Sequence, residues 1–221
     1  MKRYLWVLLA GLLFWTALGN FIFSTYRLSS TFSQTRQQLM LVASNAALCI
    51  DARQLLQVPL QQSGDGSVAY RAIFEKLEII KQINPFLKYV YIMTATDEPG
   101  ILQYVVDADP VPQVITARSP SALPGDKYDA RQLPEMLEAY NGPTADKKNI
   151  TDEWGVFISG YAPIRDANGK PVAILGVDAD AAQIYVLQKN VRLSGFWVTA
   201  AFFIFIISLF GCLIFRSRKA A

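Results

Sequence analysis

Residues 154–179 read WGVFISGYAPIRDANGKPVAILGVDA, and this stretch decides the fold of the chain. It contains two runs rich in Val, Ile and aromatic residues, Gly155–Arg165 and Pro171–Ala179, separated by the five residues DANGK. Such runs are typical of β-strands, and an Asn-Gly pair between them is a strong signal for a hairpin. The stretch therefore predicts two antiparallel strands that turn at Asn168-Gly169.

A two-residue turn at this Asn-Gly pair determines which residues of the two strands lie opposite each other. In that register Tyr161 lies opposite Gly176, and Ser159 lies opposite Asp178. A turn of odd length would exchange the faces of one strand, so the register depends on the turn. Because side chains alternate between the two faces of a strand, one face is wholly apolar and must be covered. This face comprises Val156, Ile158, Gly160, Ala162, Ile164, Ala173, Leu175, Val177 and Ala179.

The opposite face of the hairpin is the candidate binding surface. An acid, a base, a hydroxyl group and two aromatic rings on one face are typical of a small-molecule site. This face comprises Phe157, Ser159, Tyr161, Arg165, Val172, Ile174, Gly176 and Asp178. Gly176 leaves space beside Tyr161. The ligand contacts expected from this face are Asp178, Tyr161, Ser159 and Arg165. The alternatives are that Asp178 only ends its strand, that Tyr161 is an ordinary core aromatic, and that Arg165, next to the turn, is solvated.

The sequence before the hairpin predicts further elements of the same domain. Apolar residues at spacings of three and four predict a helix, and runs rich in Val, Ile and Tyr between turn residues predict strands. A stretch with several Pro, Ser and Gly residues predicts a long loop. In chain order these elements are a helix over Val68–Ile83, strands over Leu87–Ala95 and Ile101–Asp107, the loop over 108–128, and a short helix over Ala130–Tyr140.

Four residues of these two earlier strands are further candidate ligand contacts: Tyr89, Tyr91, Tyr104 and Asp107. Tyr89 and Tyr91 are two residues apart, so their side chains point to the same face of the strand. The alternatives are that the tyrosines are ordinary core aromatics and that Asp107 ends its strand and caps a turn.

Residues 28–49 predict a long helix at the start of the domain. Apolar and small side chains recur there at alternating spacings of four and three, which is the pattern of a helix face that packs on a partner. The pattern comprises Leu28, Phe32, Thr35, Leu39, Val42, Ala46 and Cys49. This face packs on its own domain, forms a homodimer contact, or does both. We interpret Cys49 as a small buried hydrophobic side chain, with an intermolecular disulfide as the alternative. Pro59 and the stretch Gln61–Ser67 are expected to end the helix.

Two uncharged apolar runs, Tyr4–Phe23 and Gly195–Phe215, are 20 and 21 residues long. A transmembrane helix needs about 20 apolar residues, so both runs predict membrane spans. The alternative for the first run is a cleaved signal peptide, but residues 21–23 prolong the apolar stretch beyond the small residues of a cleavage site. The stretch Asp180–Ser194 predicts a helix that continues without a proline into the second run.

The charge distribution predicts the orientation of the two spans. Between the apolar runs the chain carries 16 basic and all 18 acidic residues, a net charge of −2, whereas its short tails are purely basic. The tail cations are Lys2, Arg3, Arg216, Arg218 and Lys219. Because positively charged segments stay in the cytoplasm, both termini are predicted to be cytoplasmic and residues 25–193 extracytoplasmic. The formal net charge of +3 arises from the tails, so it does not predict nucleic-acid binding.

The composition speaks against catalysis. The chain contains no His, so the commonest general base and metal ligand is missing. We find no nucleophile motif, no phosphate-binding loop and no Gly-rich dinucleotide turn, and no loop has the acid spacing of a calcium site. We predict that the protein is not an enzyme and that it uses no cofactor or metal.

The segment DEWGVFISGYAPIRDANGKPVAILGVDAD, residues 152–180, follows a strand that ends in YVVDAD, residues 104–109. Together with the flanking membrane helices, this order resembles the Cache family, the PAS-like (PDC-type) extracytoplasmic sensor domains of bacterial receptors. The resemblance covers most of residues 25–193, and the hairpin with its terminal GVD is its specific part. It implies an α+β fold in which a long N-terminal helix packs on an antiparallel sheet that cups a ligand, between two transmembrane helices.

The resemblance also implies a ligand class and site residues. Members of the family sense amino acids, organic acids, amines and similar nutrients. In many of them an Asp at the end of the last strand holds the ligand amine, and Asp178 has that position; Asp152 is near the place of a second acid. Those members hold the ligand carboxylate with an Arg-Trp-Tyr cluster, which the corresponding loop ARSPSALPGDKYDA lacks. Arg118 and Lys127 are the candidate substitutes.

We therefore expect a bacterial inner-membrane sensor that binds a small molecule outside and transmits a conformational change inward. Its predicted segments are 1–24 (cytoplasmic tail and first transmembrane helix), 25–193 (sensor domain), 194–215 (second transmembrane helix) and 216–221 (short cytoplasmic tail). The alternative is a structural or regulatory subunit of a membrane complex that binds no small molecule. Six residues follow Phe215, so a complete chain would act on an output protein in trans.

Overall fold

The structure is a computed structural model that describes residues 2–109, 122–152 and 155–217. The chain divides into two compact units. One consists of Met1–Ser33 with Gln183–Ala221 and is called the two-helix unit below. The other, Gln34–Ala182, is called the sheet unit.

The secondary structure follows the order expected of an α+β chain. The helices are α1 (Lys2–Leu48), α2 (Ala52–Leu55), α3 (Val68–Ile83), α4 (Pro134–Glu138) and α5 (Ala182–Ser217), with a 3₁₀ helix at Gln62–Gly66. The strands are β1 (Leu87–Ala95), β2 (Ile101–Asp107), β3 (Lys127–Asp129), β4 (Thr144–Ala145), β5 (Ile150–Asp152), β6 (Gly155–Arg165) and β7 (Pro171–Asp180).

The sheet unit contains one sheet in which every paired strand is antiparallel to its neighbour. The strand order is β3-β2-β1-β7-β6-β4, and β5 also pairs with β6. The predicted bounds of α3, β1 and β2 are confirmed. The Ser67 side chain caps α3 by accepting a hydrogen bond from the Tyr70 N–H, and the helix ends before Asn84-Pro85 because the residue before a proline disfavours helical geometry.

The predicted register of the β6–β7 hairpin is confirmed as far as Ile164, and from Arg165 onward the pairing is shifted by one residue. Tyr161 lies opposite Gly176, and Ser159 lies opposite Asp178. The apolar face is confirmed as well, since its side chains are buried except for the half-buried Val156.

The predicted two-residue turn is wrong. The Asp166 N–H donates to the Lys170 carbonyl, so three residues and not two lie in the turn between this pair. The Asp166 carboxylate accepts from the N–H groups of Asn168 and Lys170, and Gly169 adopts a φ of +80°. A bulge between Ile164 and Arg165 compensates for the extra residue of the turn. The predicted pairs beyond the bulge therefore remain opposite each other.

Helix α1 covers the apolar face of the hairpin. Leu39 is fully buried, and a Cβ added to Gly160 would lie 2.6 Å from the Leu39 carbonyl carbon. Only glycine therefore allows this approach of α1 to β6. The buried side chains of this part of α1 are Leu39, Ala43, Ala46 and Ala47. The predicted packing of a long N-terminal helix on an antiparallel sheet is thus confirmed.

Two expectations for the end of α1 are wrong. The helix ends at Leu48, well before Pro59, and Asp51 begins α2 by accepting a hydrogen bond from the Arg53 N–H. Cys49 is exposed and not buried, and its thiol donates to the Asn45 carbonyl. The buried face of α1 includes Ala43 and Ala47, which are not part of the predicted face over residues 28–49. The reason is that a straight helix drifts by about 20° per heptad from a 3.5-residue repeat.

The segment between β2 and the hairpin also differs from the prediction. The predicted helix over 130–140 is limited to α4, which has a proline in its first turn. Strand β3 occupies the end of the predicted loop, and β4 and β5 were not expected. These strands are only two or three residues long, too short to show a period in the sequence. Residues 110–121 of the predicted loop lie outside the described residues.

In the two-helix unit, α1 and α5 pack against each other. The Phe14 ring lies 6.1 Å from Phe205 in a stacked arrangement, and Phe21 approaches Gly195 to within 3.3 Å of the position of an added Cβ. A later residue of α1 thus meets an earlier residue of α5, so the helices are antiparallel. By length and composition, Leu5–Leu48 and Ile184–Gly211 can each cross a membrane. Helix α5 follows β7 without a proline, as predicted.

Candidate functional site

The candidate binding face of the hairpin continues onto β1 and is called the mixed face of the sheet below. It brings the predicted ligand contacts of three strands close together. On β1, Tyr89 lies opposite Asp178 and Tyr91 lies opposite Gly176. On β6, Ser159 and Tyr161 lie opposite the same two residues of β7. The register therefore places the candidate acid in the middle strand, with aromatic and hydroxyl side chains on both sides.

Asp178 is half-buried and accepts a hydrogen bond from the Tyr91 hydroxyl at 3.1 Å. Burial, and next the Asp178 charge, raise the pKa of Tyr91 well above its usual value, so the phenol stays protonated and acts as the donor. A carboxylate accepts about four hydrogen bonds, so Asp178 can hold Tyr91 and a ligand cation together.

The space over Gly176 is occupied by Tyr91. A Cβ at Gly176 would lie 2.4 Å from Cε2 of the Tyr91 ring. The expectation that Gly176 leaves open space beside Tyr161 is therefore wrong. The glycine instead admits the ring that donates to Asp178, and so it positions the hydrogen bond of the candidate site.

Asp146 is a candidate site residue that was not predicted from the sequence. It is only 1% exposed. Its carboxylate accepts from the Ser159 N–H at 2.9 Å and from the Tyr161 hydroxyl at 3.3 Å. Burial raises the pKa of Asp146 to about 6, while the Ser159 and Tyr161 hydrogen bonds act in the opposite direction. Burial first, and then the charges of Asp146 and Asp178, raise the pKa of Tyr161 well above its usual value.

No local pattern identifies Asp146. It follows the two-residue strand β4 and precedes Lys147-Lys148, so the segment resembles a solvated loop. Its burial results from the pairing of β4 with β6, in which the Asp146 N–H also donates to the Ser159 carbonyl. Only this non-local pairing shows that the acid lies beside Tyr161.

The mixed face has an aromatic and apolar floor. The Tyr104 ring lies edge-to-face with Tyr91 at 5.8 Å and with Tyr128 at 6.3 Å. Helix α4 and its flanks cover part of this floor. The buried members of the cluster are Tyr91, Met93, Leu102, Ala130, Leu133, Met136, Ala139, Tyr161 and Ile174. The cluster thus combines two carboxylates with tyrosine rings, and within it Asp146 and Tyr161 are each only 1% exposed.

Asp107 has a different set of contacts. Its two oxygens accept from the N–H groups of Asp109, at 3.0 Å, and Ala122, at 2.9 Å. Burial raises the pKa of Asp107 to about 7, against these two hydrogen bonds. Lys81 of α3 forms an ion pair with Asp109. These contacts fit the alternative in which Asp107 ends its strand and caps a turn.

The remaining predicted residues make other contacts. Arg165 is exposed, and its guanidinium donates to the carbonyls of Gly169 at 2.9 Å and Asn141 at 3.0 Å. It therefore ties the hairpin turn to the chain after α4. Tyr89 contacts the Phe157 ring edge-to-face at 5.4 Å. The backbone of Asp152 pairs with Gly155 across β5 and β6.

Of the two candidate substitutes for the missing cluster, the structure describes only Lys127, which does not join the site. Lys127 is exposed on β3, opposite Gln103. Arg118 lies outside the described residues. Among the residues that the structure describes, no group of three or more His, Cys, Asp or Glu side chains could hold a metal ion.

Comparison with known proteins identifies the fold. No family model matches the chain, and no curated protein sequence matches it. The structure is similar to the sensor domain of the Vibrio cholerae histidine kinase DctB, with a TM-score of 0.52 and 12% identity over 80% of this chain and 59% of that one. At this identity the similarity shows the fold alone, and it confirms the predicted Cache-type fold.

Two further solved domains are similar. One is the ligand-binding domain of the Campylobacter jejuni chemoreceptor Tlp3 in complex with 4-methylisoleucine. The match covers 81% of this chain and 63% of the Tlp3 chain, with a TM-score of 0.49 and 14% identity. The E. coli DcuS sensor domain matches 71% of this chain and 96% of its own, with a TM-score of 0.43 and 14% identity. The chain spans less than two thirds of the Tlp3 and DctB domains.

Proposed function

We propose that this protein is a membrane-anchored sensor module that binds a small molecule on the mixed face of its sheet and passes a conformational change across the membrane. The observation that best supports this proposal is the position of Asp178. Asp178 lies on β7, and its half-buried carboxylate accepts a hydrogen bond from the Tyr91 hydroxyl of β1. The chain passes from β7 into the long apolar helix α5 at Ala182. A ligand that moves the end of β7 thus acts on the strand that leads into a candidate membrane helix.

The proposed ligand is an amino acid, an organic acid or an amine, and the site favours compounds that carry an amine. Asp178 and Asp146 both lie beside tyrosine hydroxyls on this face. A charge-assisted hydrogen bond to a carboxylate is stronger than one between neutral groups, so an ammonium group would gain most from Asp178. We propose that the role is non-catalytic and requires no cofactor.

Thermal unfolding of the purified sheet unit tests this proposal. The panel contains amino acids, four-carbon dicarboxylates and primary amines, each measured against the wild type and Asp178→Asn. A compound that binds only the folded state adds about 2.7 kcal/mol of stability at a hundred times its Kd. We expect the amine-bearing compounds to raise the Tm of the wild type more than that of Asp178→Asn.

The alternative function is a structural or regulatory subunit of a membrane complex. One observation favours it: the Tyr91 ring already fills the space over Gly176. If no compound of the panel shifts the Tm, this alternative replaces the sensor proposal. A homodimer through the helix 28–49 and, for a complete chain, an output protein in trans are compatible with both functions and remain proposals.

The proposed membrane topology makes a separate prediction. Residues 25–193 are expected outside and both termini inside, because the basic residues of the tails stay in the cytoplasm. A reporter enzyme that is active only outside the cytoplasm should be active when fused after Gly125 and inactive when fused after Ala221. The reverse activity pattern would contradict the topology.

A further inference from the structure

A cavity with both polar and apolar walls lies between α1 and α5 within the two-helix unit. Its volume is about 320 Å³. Its walls also include apolar side chains, among them Phe23 and Trp197. The polar side chains that line it are Asn20, Ser24, Arg27, Asn190 and Ser194. Amide, hydroxyl and guanidinium groups beside apolar walls suit an amphiphile and not a purely apolar ligand.

The cavity lies at the end of the first apolar run and at the start of the second. Asn20 lies within the run Tyr4–Phe23, and Arg27 follows the end of that run. The seven residues from Asn20 to Arg27 rise by about 10 Å along a helix. A lipid headgroup region is about 5–8 Å deep on each side of the hydrocarbon core. In the proposed membrane placement, the cavity therefore lies at the level of the lipid headgroups.

The charge around the cavity has one sign. Residues 1–33 and 183–221 contain no Asp or Glu. Arg27 lines the cavity, and Lys189 and Arg192 are exposed on the same part of α5. The sequence of the unit thus provides no carboxylate partner for these three cations. A guanidinium group binds a phosphate through two parallel hydrogen bonds, so a phosphodiester is the matching anion.

We propose that this cavity binds the headgroup of an anionic phospholipid in the outer leaflet. Its phosphodiester would contact Arg27, its polar headgroup the two asparagines, and its first acyl carbons the Phe23 and Trp197 rings. Zwitterionic lipids fit less well because their own ammonium group neutralises the phosphate. The inference rests on the proposed membrane placement and not on the mixed face of the sheet, so the ligand panel and the lipid measurement fail independently.

Native mass spectrometry of the full-length chain in detergent tests the proposal. Phosphatidylglycerol and phosphatidylcholine with identical acyl chains are titrated separately. We expect phosphatidylglycerol to bind more tightly, and Arg27→Gln to weaken it about fivefold, the effect of one basic residue near an anionic surface. Arg71→Gln is the matched control, because Arg71 is an exposed cation on α3, outside the two-helix unit. It should leave the binding unchanged.

A second variant covers the case in which Arg27→Gln loses helical structure by circular dichroism. Asn190→Ala keeps all charges and should also reduce the preference for phosphatidylglycerol over phosphatidylcholine. Equal binding of the two lipids would overturn the proposal. Displacement of the lipid by excess inorganic phosphate would show a site for free phosphate and would also overturn it. A lipid-free dimer as the only species would show that a second copy fills the cavity, with the same consequence.

Discussion

Asp178→Asn is expected to weaken ligand binding by about 1.5–3 kcal/mol, which is roughly a ten- to hundredfold increase in Kd. The substitution removes the negative charge that would pair with a ligand cation. The Tyr91 hydroxyl, which donates to Asp178 at 3.1 Å, can still donate to the asparagine carbonyl. The fold should therefore be retained. Calorimetric titration of the sheet unit with the panel compound of largest thermal shift measures the effect.

Asp180→Asn is the matched control for this experiment. Asp180 lies two residues further along β7, is exposed, and accepts a hydrogen bond from the Ala182 N–H at 2.7 Å. The asparagine can accept the same hydrogen bond, so the variant loses one charge of the same strand without losing this contact. It should bind the ligand as the wild type does. A lower Tm with unchanged affinity in Asp178→Asn would remove Asp178 from the site.

The sheet unit is expected to become more stable as the pH falls from about 8 to about 5. Burial raises the pKa of Asp107 to about 7 and that of Asp146 to about 6. Both values exceed the unfolded pKa of about 3.9, so the folded state binds protons more tightly. The stabilisation is complete below the unfolded pKa and is lost as the pH rises through the folded pKa. Between about pH 8 and pH 5, protonation of each carboxylate should add about 1–3 kcal/mol to the free energy of unfolding.

Urea unfolding between about pH 5 and pH 8, followed by circular dichroism, measures how steeply the free energy of unfolding changes with pH. Asp146→Asn should make this pH dependence less steep, because the amide does not titrate. The Tyr161 hydroxyl can accept a hydrogen bond from the NH₂ group of the asparagine. Asp129→Asn is the control. The hydrogen bond from Arg131 lowers the pKa of Asp129 to about 2, so this carboxylate titrates below the measured range. A slope in Asp146→Asn that equals the wild-type slope would contradict the assignment.

The strands and the candidate acid at the end of the hairpin were predictable from sequence. The bounds of β1 and β2 and the pairing of Ser159 with Asp178 follow from local patterns, because strand alternation and a turn signal act over a few residues. The face that α1 covers was predictable for the same reason. Even where the turn was mispredicted, the bulge beside Arg165 preserved the pairing, since a slip by one residue would expose the whole apolar face.

The contacts of the candidate site were not predictable in this way. The bond between Tyr91 and Asp178 depends on β1 lying beside β7, and the burial of Asp146 depends on β4 lying beside β6. Strand order is a choice among distant segments, and periodicity within one segment carries no information about it. Gly176 illustrates the difference: the sequence shows a position without a side chain, whereas only the neighbouring strand shows that the Tyr91 ring fills it.

The sequence by itself thus determined the two apolar helices, the antiparallel hairpin and the face that had to be buried, because each depends on side-chain period and charge along a continuous stretch. The tertiary structure alone decided which polar groups meet. It placed Asp146 against Ser159 and Tyr161, and it placed Arg27 in a cavity between two helices that are far apart in the chain. A buried polar group is stabilised by whichever partner the packing supplies, and that partner is set by the strand order and the helix pairing.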